Sequence, residues 1–116
     1  NNVYEKLSWF RDEIERYMEL GGPPLEFIIS RNYPNPFNSI THIDYQVPID
    51  NHINITIYDI MGREVKTLMD QVQIKGIYTI DWNGQSEYGK SVSTGVYYFQ
   101  FTSNGFSDEK KMIFLK

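Results

Sequence analysis

The groups in this 116-residue chain that could do chemistry are few: two histidines, fifteen acidic residues and scattered serines. His42 and His52 each fall near the end of an expected strand, and neither sits in a metal-ligand spacing. Their expected role is solvated or hydrogen-bonded structure. No serine occupies a glycine-flanked nucleophile turn. Gly84 and Gly89 are too far apart to cradle a phosphate and belong to turns. Asp50, Asp59 and Asp81 could gather at a loop end and offer oxygen ligands to calcium, although no spacing demands it. Asp108-Glu109 beside Lys110-Lys111 reads as the polar rim of a final hairpin, and Asn54-Ile55-Thr56 fits a glycosylation triplet inside an expected strand. The expectation is a structural or interaction domain with no catalytic residue, no metal and no cofactor.

Composition narrows the class. Eleven basic against fifteen acidic residues leave a formal charge of −4, which gives no support to nucleic-acid binding. Without cysteine there is no disulfide framework, thiolate metal site or thiol nucleophile. Nine tyrosines and seven phenylalanines favour strands, and the chain is apolar enough to bury a core. No apolar run approaches the roughly 20 residues of a membrane-spanning helix. The chain opens on Asn1-Asn2 with no leader, so it is expected to be the carboxyl-terminal piece of a longer protein.

Residues 1–20 are expected to hold one amphipathic helix. Val3, Leu7, Phe10, Ile14 and Tyr17 recur in steps of four and three, and Asn2 with Glu5 resembles a cap. Arg11 with Glu15 and Asp12 with Arg16 have the spacing of neighbours on one face. Gly21-Gly22-Pro23-Pro24 stops the helix and forms a linker at residues 21–24. A lone amphipathic helix must lay its stripe on something, the following domain or one upstream, with a partner-binding helix or coiled-coil strand as the alternative.

From Leu25 the apolar period changes to two, and residues 25–116 form a second unit. Ile43, Tyr45 and Val47 alternate, as do Ile53, Ile55 and Ile57, then Tyr78, Ile80 and Trp82, then Tyr97, Phe99 and Phe101. KKMIFLK is more continuously apolar, as a strand covered on both faces would be. EVKTLM is a shorter, weaker strand, and LEFIIS a plausible first one. Glycine turns separate the runs, and Asn104-Gly105 predicts a two-residue hairpin. About seven short strands imply an all-β fold, an immunoglobulin-like antiparallel β-sandwich preceded by one α-helix.

A series of motifs runs through this unit: YPNPFN at residues 33–38, IYDIMGREVKTL at 57–68, DWNG at 81–84, STGVYYFQF at 93–101, and KKMIFLK to the end. In that order they resemble the type A carboxyl-terminal sorting domain of the type IX secretion system. The resemblance implies a non-catalytic address label on proteins exported by Bacteroidetes-type bacteria. Its partners would be the outer-membrane secretion machinery and an upstream passenger, with a sortase-like peptidase removing the domain in many members. The parent would reach the cell surface or medium by way of the periplasm. Carried onto this chain, the family motifs are Tyr33, Pro34, Asn35, Pro36, Phe37 and Asn38; Gly62, Arg63 and Glu64; and Gly95, Val96 and Tyr97 with the terminal lysine-rich run. The family often reads PNPFNPST, whereas Ser39-Ile40 stands here in place of Pro-Ser. Processing would fall at Gly21, Gly22, Pro23, Pro24 and Leu25.

Pro34 and Pro36 fix φ and bias Tyr33 and Asn35 toward extended backbone. The corner should therefore enter the sheet in one orientation, with Tyr33 and Phe37 as plugs, and its job is to build the domain. Gly62 suits a tight turn and Arg63-Glu64 a solvated hairpin tip. Recognition is expected at the last strand, Lys110, Lys111, Met112, Ile113, Phe114, Leu115 and Lys116. There a sheet edge and positive charge around an apolar centre could dock on an acidic, aromatic-lined groove. The bland alternative is a final strand that completes the sandwich with solubilising lysines.

NVYEKLSWFRDEIERYM, residues 2–18, resembles the terminal strand end and helix of a trypsin-like serine protease, with Glu13-Ile14 departing from that family's usual tryptophan-isoleucine. It implies a secreted protease as parent, with its catalytic residues before Asn1. Two other classes stay open. One is a passive immunoglobulin-like adhesion or assembly module, since the flagellar hook-cap protein has a similar sandwich and W-[DN]-G…G-x-Y pattern. The other is a regulatory domain of the upstream protease.

Overall fold

The computed structural model describes residues 26–116; the expected helix at residues 1–20, the linker at 21–24 and Leu25 lie outside them. Seven strands follow in order: β1 Ile28–Ile29, β2 Thr41–Val47, β3 Asn51–Asp59, β4 Glu64–Gln73, β5 Gly76–Trp82, β6 Gly95–Ser103 and β7 Phe106–Phe114. They form two sheets, β1-β2-β5 and β4-β3-β6-β7, and every strand pairing within them is antiparallel. The order is that of an immunoglobulin-like sandwich with β4 placed beside β3.

Alternation dictates the core. Successive residues on a strand point to opposite faces, so Ile43, Tyr45 and Val47 of β2 face Ile53, Ile55 and Ile57 of β3 and Tyr97, Phe99 and Phe101 of β6, all buried. Fully burying each such side chain contributes about 1.5–3 kcal/mol. The Tyr45 hydroxyl crosses between the sheets to donate to Gln73 Oε1 on β4 at 2.5 Å. Burial pushes that phenol up to about 12, against the lowering effect of the Gln73 bond. Tyr78 and Ile80 are only half-buried because β5 is an edge strand, while Trp82 is buried.

Two expectations are corrected. EVKTLM belongs to β4, at ten residues the longest strand. Its pairing with β3 slips twice, leaving Leu68 and Val65 without Cα partners. Each bulge turns the following side chains over, so Val65, Leu68 and Met69 all reach the core and no period of two survives. KKMIFLK is covered on one face only: Met112 and Phe114 are buried, whereas Lys111 and Leu115 are exposed. The hairpin at Asn104-Gly105 forms as expected, with Ser103 opposite Phe106. Of the two turn residues, Gly105 takes positive φ and Asn104 does not.

Candidate functional site

The motifs lie far apart in sequence and meet at one end of the sandwich. Gly95 pairs with Phe114 and Val96 with Ile113. Tyr97 stands opposite Asp59, where β3 turns toward β4, and Phe37 bridges Phe114. At the centre is Trp82. Its ring lies 5.6 Å from Phe37, 5.4 Å from Tyr97 and 6.2 Å from Phe114, and Phe37 and Phe114 are 4.9 Å apart. Its indole N–H donates to the Gln85 carbonyl at 2.9 Å, as a buried tryptophan requires.

The corner at residues 33–38 is held from both sides. Tyr33 and His42 exchange backbone hydrogen bonds at 2.9 and 2.8 Å. The Thr41 hydroxyl donates to the Pro34 carbonyl at 2.8 Å, and Asn32 Nδ2 donates to Thr41 Oγ1 at 3.0 Å. Both proline peptide bonds in the corner are cis. The Tyr33 hydroxyl reaches the buried Asp44 carboxylate at 3.1 Å, which also accepts from Thr79 Oγ1 at 2.5 Å. Phe37 is the plug that enters the core, while Pro34, Asn35, Pro36 and Asn38 stay exposed.

The turn between β3 and β4 is organised by Asp59. Its Oδ1 accepts the backbone N–H groups of Met61 and Arg63 at 2.9 Å each, and its Oδ2 accepts Arg63 Nε at 2.9 Å. The Arg63 backbone bond, helped by the Arg63 side chain and the Met61 N–H, holds this carboxyl below the usual carboxylate range. Gly62 closes the turn at φ +80°, in the left-handed region that side chains disfavour. Arg63 and Glu64 project into solvent. Gly95 has ordinary φ and open space around it, and nothing in the structure requires glycine there.

β7 is an edge strand of the four-stranded sheet. Adjacent lysines on it point to opposite faces. Lys111 is exposed, whereas Lys110 shares the core-facing side with Met112 and meets Asp108 at 3.5 Å. Asp108 is therefore half-buried on that side and not simply hairpin rim. Ile113 is half-buried on the outer face and Leu115 exposed. The Lys116 N–H is tied to Thr94 Oγ1 at 2.9 Å.

The other candidates disperse. His42 Nδ1 lies 2.5 Å from Asp81 Oδ1 on β5, and His52 Nε2 lies 2.8 Å from Asp70 Oδ1 on β4. Asp50 accepts the Lys75 N–H at 2.8 Å, so Asp50, Asp59 and Asp81 serve three separate places. Among the described residues no cluster of three histidine, cysteine or acidic side chains is placed to hold a metal. Thr56 of the glycosylation triplet is buried in β3. Sequence reasoning did not single out Asp44 or Thr94, and it read Trp82 and Gly84 only as a strand residue and a turn residue. For the last two a signal existed, the DWNG string, whose indole and glycine both pack against β7.

Residues 31–115 match the family described as the secretion system C-terminal sorting domain. The chain belongs to that family. This sorting domain acts as a secretion signal, and the end of the sandwich just described gathers the sequence motifs that carried the resemblance. No curated protein matches it. Among solved structures it is similar to dimeric latent PorU from Porphyromonas gingivalis, with a TM-score of 0.62 and 21% identity over 81% of this chain and 10% of that one. It is also similar to PorZ, an essential bacterial surface component of the type IX secretion system of the same organism, with a TM-score of 0.53 and 18% identity over 78% of this chain and 11% of that one. At those identities the likeness is one of fold, and the sorting domain spans only about a tenth of either protein. Among the described residues no helix is long and apolar enough to cross a membrane.

Proposed function

We propose that this sorting domain directs an attached passenger across the outer membrane through a type IX secretion system, and that the exporter reads it at the end of β7. The observation that carries the reading is the family match over residues 31–115. The type IX component PorZ, which shares the fold, agrees with it. The edge position of β7 and the exposed Lys111 and Lys116 support the reading of its end: they set positive charge beside an exposed apolar side chain at Leu115. The parent is then exported to the surface or medium of a Bacteroidetes-type bacterium. A sortase-like peptidase removes the label near residues 21–25 where processing occurs. A trypsin-like passenger rests on the sequence pattern of residues 2–18 alone.

The test is export. The 116-residue chain is placed behind a signal peptide and a fluorescent protein in a bacterium with a working type IX system. A second fusion lacks residues 111–116, and a third carries Lys111→Glu and Lys116→Glu. The third keeps Met112 and Phe114, so it separates recognition from folding. The reading expects fluorescence at the surface or in the medium for the first and retention in the periplasm for the other two. Periplasmic retention of the intact, folded domain would leave a passive immunoglobulin-like module as the better account. Normal export of the charge-reversed variant would remove the lysines from recognition.

A further inference from the structure

We infer that residues 35–37 of the corner are an edge guard, closing the outer edge of β7 against strand addition by a second copy of this chain. An antiparallel strand turns both backbone groups of every other residue away from its neighbour. Ile113, opposite Val96, is such a residue. Its N–H reaches Asn35 Oδ1 at 2.9 Å, and its carbonyl accepts the Phe37 N–H at 3.0 Å. The Leu115 N–H then donates to the Phe37 carbonyl at 2.9 Å. These are the groups a fifth strand would need, and the corner takes them through a single parallel bridge.

The guard does not offer a new edge in place of the old one. Pro34 and Pro36 flank Asn35 and have no N–H to donate. The next strand after Phe37 is β2, which belongs to the other sheet.

The rest of β7 is defended differently. Asp108 and Lys110 stand on the core-facing side and bridge to each other, and inward-pointing charge is a known deterrent to edge pairing. Asp108 Oδ1 also accepts the Glu109 N–H at 2.9 Å, covering one outward donor. That device cannot extend to Met112 and Phe114, which must be apolar because they are core. The apolar run at residues 112–115 is the part most able to template another strand. It is there that the corner sits. The inference concerns the fold and holds whether or not the exporter reads β7.

The test uses the full chain with Asn35→Ala and Pro36→Gly, which removes the Ile113 acceptor and the φ restraint but keeps the Phe37 ring. Amide hydrogen exchange by NMR should quicken roughly tenfold or more at Ile113 and Leu115 and stay unchanged at Phe99 and Phe101. Sedimentation velocity should show dimers and larger species where the wild type is a monomer. Asn35→Asp keeps an acceptor and should match the wild type in both measurements. A released edge that stays monomeric overturns the inference, as does unchanged exchange at Ile113 or a wild type that already associates through β7. If the double variant loses cooperative unfolding, Asn35→Ala alone is judged by the same two measurements.

Discussion

The ring of Phe114 fills the space into which a side chain on Gly84 would grow: a Cβ there would lie 2.7 Å from Phe114 Cζ. Gly84 also sits at φ +73°, so both crowding and backbone conformation exclude other residues. Gly84→Ala is expected to cost about 2–4 kcal/mol in chemical denaturation. Phe114→Leu should cost less in that background than in the wild type, because the smaller side chain relieves the clash. An additive double-mutant cycle would refute the contact as the cause.

Tyr33 holds the corner onto the sheet through Asp44. Tyr33→Phe keeps the ring and leaves the buried carboxylate with one fewer donor, an expected loss of about 1–3 kcal/mol. Thr79→Val removes the other side-chain donor. Since one carboxylate serves both, the double variant should lose more than the sum of the single losses in urea denaturation. A simple sum would mean that the two hydroxyls act independently.

Tyr45 predicts an alkaline limit. Its phenol titrates at about 12 in the fold against about 10 in an unfolded chain. The folded state therefore holds this proton more tightly. The stability it contributes is complete below pH 10 and is lost as pH rises from there through about 12, at up to about 1.4 kcal/mol per pH unit. In Tyr45→Phe that contribution is missing, so the slope of stability against pH should be shallower between pH 10 and 12. Equal slopes in denaturant titrations of the two proteins would contradict it.

Asp59 predicts the opposite sign at the acid end. Its carboxyl is depressed in the fold, chiefly by the Arg63 backbone hydrogen bond, so its stabilising effect is present above the unfolded value and fades as pH falls through the lower folded one. Below about pH 4, amide exchange at Met61 and Arg63 should quicken before that of β6. Asp59→Asn should remove this acid dependence at the turn. Simultaneous loss of protection in the turn and in β6 would argue against a local effect.

Strands β2, β3 and β6 were legible because each presents one strict apolar face, as Ile53, Ile55 and Ile57 do. β4 was not, since Val65 and Leu68 sit at bulges and bring successive apolar residues to the same side. β7 misled in another way. Ile113 and Leu115 are apolar but stand on the outer side, Ile113 half-buried and Leu115 exposed, which looks in sequence like burial on both faces. The motifs of the site could be read singly, but their meeting around Trp82 could not. No local periodicity reports that Phe37, Tyr97 and Phe114 share one ring as neighbour. The role of Asn35 was hidden for the same reason, since its partner Ile113 lies 78 residues away.

That separation governs when the domain can become itself. The bond from Ile113 to Asn35 and the packing of Phe114 on Trp82 and Phe37 join nearly the earliest described segment to the last. Closing so long a loop comes late and slowly in folding. Until residues 112–115 are available, Trp82 lacks one wall of its pocket and the corner has no strand to clasp. A chain terminated before β7 therefore lacks the strand that completes this end of the sandwich, so the finished fold reports that synthesis has passed β7.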